Sequence, residues 1–225
     1  MNMKINKGLH DELCKLEYKE YLFGSRLHGV HTEESDTDVV RIIGDGFYSR
    51  FNSVARYYPN IHSFQYTEGK DNQYIWMTER QFWYNLFHGD GNMLADIVLL
   101  SEEFDNSLFL CRTYKIIKGY LGLVKRDLKL HPKFEKKRFH AARSLYMAGY
   151  LINNLHPSVK DIVTLKNNVM PSNEEMLELE KTLRSRLNSM LDSGAINMYP
   201  MFDEQDLLAK MMMESNNIRE FKYDK

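Results

Sequence analysis

The sequence predicts an α+β protein, with an N-terminal sheet-bearing domain over residues 1–104 and a C-terminal helical bundle over residues 105–225. Three observations carry this. Short apolar runs bounded by turn residues, Tyr21–Phe23 and Val39–Ile43, read as strands in the first half. From about residue 105 the apolar period changes to steps of three and four, the period of a helix. Internal repeats and low-complexity tracts are lacking, so neither half is a repeat array.

Composition sets the outer bounds. The chain has 225 residues, 43% hydrophobic and 27% charged, enough to bury a sizeable core. The net charge of -1 excludes a global basic field but not a local one. The two cysteines, Cys14 and Cys111, have neither disulfide-framework nor zinc spacing, and they point to a reducing, cytoplasmic setting. An apolar signal core and membrane-length apolar runs are both lacking, so no membrane partner is expected.

The elements follow in order. Leu9, Leu13 and Leu16 give residues 6–20 a helical spacing, ahead of a strand at Tyr21–Phe23. Gly24-Ser25 then offers backbone N–H groups and a hydroxyl with no Cβ obstruction at the glycine, which suits a phosphate. Arg26–Val30 reads as the start of a helix, and the Arg26 guanidinium can grip two phosphate oxygens. His28 and His31 lie beside it. The next strand is Asp36–Ile43, closed by the turn signal Gly44-Asp45-Gly46.

On an extended strand Asp36 and Asp38 project to one face, with Thr37 and Val39 on the other. Two carboxylates so placed repel each other. A hard divalent cation, Mg²⁺ or Mn²⁺, relieves that repulsion. The plainer alternative is a surface loop before a strand whose acids face water.

Residues 47–72 are rich in aromatics, including Phe47, Tyr48, Phe51, Tyr57, Tyr58, Phe64 and Tyr66. They either stack a base or simply pack. Tyr74–Met77 reads as a strand, and Thr78 as the N-cap of a helix over Glu79–His88. Gly89-Asp90-Gly91-Asn92 stops that helix. Met93–Ser101 is apolar except for Asp96 and reads as a buried strand. A carboxylate buried there needs a partner; Asp45 and Asp71 are the other acids of this half weighed beside Asp96 as a third metal ligand.

In the second half, Phe109–Leu128 predicts an amphipathic helix broken at His131-Pro132. Lys133–Leu155, Glu174–Ser193 and residues 203–214 predict three more. Lys136, His140 and Arg143 stand at i, i+4 and i+7 on one helix face, with Lys137 at its border. That face is either a solvated basic surface or an arm for phosphate.

The order apolar strand, Gly-Ser, ten-residue spacer, Asp-x-Asp, apolar strand resembles the DNA polymerase β-like nucleotidyltransferase superfamily. The fuller string GSRLHG…SDTDVV is similar to its RNA-repair-pathway branch, and His140-Ala-Ala-Arg143-Ser-Leu145 resembles a basic helix of that branch. His28 stands where those proteins more often carry an aromatic, and Gly89-Asp90-Gly91-Asn92 replaces their usual Gly-Asn-Pro. The resemblance implies a mixed-sheet catalytic domain that transfers a nucleoside monophosphate from a nucleoside triphosphate to an acceptor hydroxyl, with an RNA end or a tRNA as one acceptor. It implies Asp36, Asp38 and Asp96 as catalytic metal ligands for Mg²⁺ or Mn²⁺. It implies Gly24, Ser25, Arg26, Lys137, His140 and Arg143 as nucleotide-binding residues. The alternative is an inactive nucleotide- or RNA-binding, or regulatory, protein of the same fold.

Overall fold

A computed structural model describes residues 2–44, 63–69, 72–88, 92–104, 107–130 and 133–199. The turn beyond Gly44, Asp45, the aromatics between 47 and 58, Asp71, the glycine turn 89–91, His131-Pro132 and the helix expected at 203–214 lie outside the described residues. The fold is α+β. The described residues divide into two compact units, one of residues 2–22, 36–44, 63–69 and 72–84, the other of 23–35, 85–88, 92–104, 107–130 and 133–199. Residue 104 thus falls inside the second unit.

The first unit is built on a five-stranded mixed sheet of strands β1 (Asn2–Lys4), β2 (Tyr18–Phe23), β3 (Asp38–Ile43), β4 (Ser63–Glu68) and β5 (Asn72–Thr78), in the order β1-β4-β5-β3-β2. β1 runs parallel to β4, β4 antiparallel to β5, and β5 parallel to β3, with Asp38 opposite Gln73. Helix α1 (Lys7–Leu13) is capped by Asn6, whose side chain accepts from Leu9 N–H at 2.9 Å. Leu13 packs with Ile43, Phe64 and Trp76 to form the core of this unit. The β-branched, apolar stretch Val39–Ile43 fits a half-buried pleated surface and is almost wholly buried. Phe64 and Tyr66 both pack: Phe64 lies in the core and Tyr66 stacks on the His10 ring. The Arg41 guanidinium is held by Glu20 and lies over the rings of Tyr18, Tyr74 and Trp76.

Thr78 caps α3 (Glu79–His88) as expected: its hydroxyl accepts from Gln81 N–H at 3.2 Å, and the Gln81 side chain accepts from Thr78 N–H at 3.0 Å. This reciprocal pair is a capping box.

The second unit is helical. It holds α2 (Gly24–Leu27), α4 (Asn92–Leu100), α5 (Ser107–Cys111), α6 (Tyr114–Leu130), α7 (Glu135–Ile152), α8 (Val159–Asn167) and α9 (Asn173–Asp192). One correction concerns α4: the segment expected as a strand at Met93–Ser101 is a helix, buried at every residue from Leu94 to Leu99. A helix surrounded by others is apolar on all sides and loses the 3.6 period that would mark it. The helix expected over Phe109–Leu128 is interrupted at Arg112-Thr113, where the Thr113 hydroxyl accepts from Ile116 N–H and starts α6 afresh. α6 packs on α7 and α9, and Ile117, Leu121, Val124, Leu145, Ala148 and Leu183 on these helices are buried. The short α8 has no counterpart among the expected elements; Ser158 caps it by accepting from Asp161 N–H. Among the described residues no helix is long and apolar enough to cross a membrane.

Candidate functional site

In the sheet unit, the Asp-x-Asp motif sits at the opening of β3. Asp38 is the first residue of the strand and half-buried, while Asp36 precedes it and is exposed. Between them Thr37 is pinned to β5 from both sides of its backbone. Its carbonyl accepts from Gln73 N–H at 3.0 Å, and its N–H donates to Asn72 Oδ1 at 3.1 Å. The two acids therefore flank a fixed residue, and their carboxylates are hard oxygen donors of the kind Mg²⁺ or Mn²⁺ prefers. Among the described residues no three His, Cys, Asp or Glu side chains gather as a metal-holding group.

In the helical unit, Gly24 opens α2 at a φ of +66°, a left-handed conformation that glycine adopts without steric cost. The single turn is closed by His28 N–H donating to the Gly24 carbonyl and Val30 N–H donating to the Ser25 carbonyl. Arg26 donates through Nη2 to the Ser35 carbonyl at 3.0 Å, so this guanidinium shapes its own loop. Lys166 of α8 donates to the Val30 carbonyl at 2.7 Å and ties the loop from the other side.

The loop is anchored by His28. Its ring is buried and donates through Nε2 to Asp96 Oδ2 at 3.1 Å. That tautomer leaves Nδ1 to accept from Arg143 Nη1 at 2.8 Å, and the same guanidinium nitrogen also lies against His28 Nε2. Arg143 Nη1 reaches Asp96 Oδ2 at 3.0 Å, and the Tyr120 hydroxyl donates to Asp96 Oδ1 at 2.5 Å. Four side chains from α4, α6, α7 and the α2 loop thus meet in a buried network.

The electrostatics follow from that geometry. Burial works to raise the Asp96 pKa, but the Arg143 charge and the hydrogen bonds from His28 and Tyr120 outweigh it, holding the carboxyl at about 2. Burial and the Asp96 charge together push the Tyr120 phenol up, keeping it a donor. The partner that a buried Asp96 needs is therefore supplied by protein groups, and its charge is met by Arg143. Asp96 belongs to the helical unit and Asp36 and Asp38 to the sheet unit.

The expected basic face of α7 splits between two buried acids. Arg143 goes to Asp96. Lys137 Nζ and His140 Nδ1 each stand 3.9 Å from the carboxylate of Asp127, a buried residue of α6 that also pairs with Arg126 at 2.9 Å. Burial first, then Arg143 and Lys137, lowers the His140 pKa to about 4, so this imidazole is neutral at pH 7. Glu180 of α9 is a third buried acid, paired with Arg184 and Lys125. Of the three residues that mark this α7 face in the sequence, His140 and Arg143 thus face carboxylates on α6 and α4, while Lys136 is exposed. Tyr120 was indistinguishable from core in the sequence, because it sits in the apolar stripe of α6 with Ile117, Leu121 and Val124.

No protein-family model matches the chain, and no curated protein matches it.

Proposed function

We propose that this protein is a metal-dependent nucleotidyltransferase that moves a nucleoside monophosphate from a nucleoside triphosphate to an acceptor hydroxyl. One observation carries the reading. In the sheet unit an Asp-x-Asp pair, Asp36 and Asp38, flanks Thr37 at the opening of β3, and the Thr37 backbone is held to β5 from both sides. In this reading Gly24 and Ser25 bind triphosphate oxygens through backbone N–H groups and the Ser25 hydroxyl. Asp36 and Asp38 would hold Mg²⁺ or Mn²⁺, which when bound neutralises phosphate charge and lowers the pKa of the acceptor hydroxyl. The acceptor hydroxyl gives up its proton to solvent, its oxygen bonds to the α-phosphorus, and pyrophosphate departs with the electron pair of the broken phosphorus–oxygen bond. The hydrogen-bonded clamp on Thr37 keeps the two acids in register with β5. Asp96 acts from the helical unit by holding His28, and with it the turn that follows Ser25. The acceptor hydroxyl belongs to an RNA end, a protein side chain or a small molecule, and the reading does not select among them.

The second reading, a nucleotide binder without transfer activity, draws on the commitment of Asp96 and Arg143 to each other. One experiment separates the two. The protein is incubated with each labelled nucleoside triphosphate, Mg²⁺ and mixed RNA, and product and pyrophosphate are measured. Label moving to RNA with matching pyrophosphate supports transfer. Saturable nucleotide binding without pyrophosphate supports the binder.

A further inference from the structure

Ser107 and His156 belong neither to the network around Asp96 nor to the transfer chemistry proposed above. Ser107 is the first residue of α5, and His156 lies in the connection between α7 and α8. Both are in the helical unit. The Ser107 Oγ stands 2.8 Å from His156 Nε2. On the other side of the ring, Nδ1 stands 2.9 Å from the Pro157 carbonyl oxygen.

These two partners assign the tautomer. A carbonyl oxygen only accepts, so Nδ1 carries the proton of that contact. Nε2 is left as the acceptor, and the second hydrogen bond runs from the Ser107 hydroxyl to Nε2. A hydroxyl that donates to an imidazole, whose opposite N–H is fixed by a third group, is the arrangement that activates a nucleophile. Here a backbone carbonyl orients the ring where a triad uses a carboxylate. Exposure divides the pair in the same sense. Ser107 is 7% exposed, withdrawn from bulk water but not sealed. His156, which must receive and release the proton, is exposed.

We propose that Ser107 and His156 form a nucleophile–base pair that takes a small acyl group from an activated ester. His156 Nε2 accepts the hydroxyl proton while Ser107 Oγ bonds to the acyl carbon. The bond from that carbon to the leaving oxygen breaks; the oxygen keeps the electron pair and takes the proton from Nε2. Ser107 is now an acyl ester. Water attacks its carbonyl carbon, with Nε2 taking one proton from the water and returning it to Oγ, and the carboxylic acid leaves. The near-burial of Ser107 sets the substrate class: an acetyl-sized group reaches the oxygen and a long chain does not. The bland role for the same hydrogen bond is a structural tie between α5 and the chain after α7.

The test treats the full chain with p-nitrophenyl acetate, without nucleotide or metal, so its outcome is independent of the transfer reading. Rapid quenching and peptide mapping by mass spectrometry should place an acetyl group on Ser107. Ser107→Ala should remove that label. His156→Gln should slow acetylation of Ser107 at least ~100-fold, the lower end of what a positioned general base supplies. Urea denaturation of both variants reads the structural role separately. In the unaltered protein, p-nitrophenyl octanoate should react at least about 10-fold more slowly than the acetate, each rate taken relative to that with free imidazole. Mapping and acyl-chain preference need no variant, so they decide even where a substitution disturbs folding. Acetyl groups on lysines alone, Ser107 labelling untouched by His156→Gln, or equal relative rates for the two esters would overturn the assignment and leave the bond a structural tie.

Discussion

The Arg143 guanidinium and the Asp96 carboxylate form a buried ion pair between α7 and α4, with Nη1 3.0 Å from Oδ2 and both side chains almost withdrawn from solvent. Arg143 had two readings in the sequence, a phosphate grip or a solvated charge, and the pair gives it a third. A buried charge deprived of its partner is far more costly than an exposed one. Tyr120 and His28 share the same carboxylate, so the pair is the centre of a network.

Removing one partner should therefore act on stability first. Arg143→Ala is expected to destabilise the protein by about 3–5 kcal/mol, because Asp96 would be left charged and buried. The double replacement Asp96→Leu with Arg143→Met should recover most of that loss. Urea denaturation of the two single variants and the double checks this. An Arg143→Ala midpoint equal to that of the parent would show that the pair does not hold α4 to α7.

The same pair sets an acid limit on stability. The folded Asp96 pKa of about 2 lies below its ordinary value of 3.8, so its contribution is fully present above about pH 4 and is lost as pH falls toward 2. The Asp96→Asn protein should show a shallower loss of stability across that window. His140 adds a separate, milder window. Its folded pKa is about 4 against 6.5, so the folded state resists its protonation and stability falls between pH 6.5 and 4. His140→Gln should flatten that part of the profile, and an NMR titration should find the ring neutral down to about pH 4. A His140 midpoint near 6.5 would contradict its burial beside Arg143 and Lys137.

The transfer reading makes its own demand on the sheet unit. Asp38→Ala should reduce nucleotide transfer to background while the protein stays folded, as read by a cooperative melting transition. Asp36→Asn should do the same. Thr37→Val keeps both backbone hydrogen bonds and should keep activity, which separates the role of the acids from that of the Thr37 side chain. Transfer at the parental rate in Asp38→Ala would remove the metal-dependent mechanism.

What the sequence disclosed depended on contrast along the chain. Val39–Ile43 was legible because it is an apolar, β-branched run between turn residues. Glu79–His88 was legible because Thr78 announces its start, while the Gln81 half of the capping box emerged only in the structure. Asp96 was visible as a buried acid needing a partner, but Met93–Leu100 has no polar face from which its period could be read, and a strand was the natural expectation. The partners themselves lie 24 and 47 residues further along, at Tyr120 and Arg143, and no local pattern joins them. α8 did leave a signal: Ser158-Val-Lys-Asp161 has the Ser-x-x-Asp form of a helix start, following Pro157.

Gly29 offers the sharpest steric test of how the loop after Ser25 is fixed. It stands at φ +67°, and a Cβ built there would lie 2.8 Å from Val159 Cγ1 and 3.2 Å from Val163 Cγ2 of α8. Two costs combine in Gly29→Ala. The left-handed backbone alone accounts for about 1–2 kcal/mol. The collision is with a stiff, β-branched side chain, which cannot swing aside as a lysine would. The substitution should exceed the backbone cost by about 1–3 kcal/mol, the usual range for overpacking. Val159→Ala in the same chain should return the steric part and leave the backbone part. In a double-mutant cycle read by urea denaturation, the coupling between positions 29 and 159 should then be favourable by about 1 kcal/mol or more. Additive single effects would show that α8 does not press on Gly29. His28 is the neighbouring residue, so Gly29→Ala should also disturb its hydrogen bond to Asp96. A shift of the His28 ring resonances in Gly29→Ala that reverts in the double variant would connect the two events.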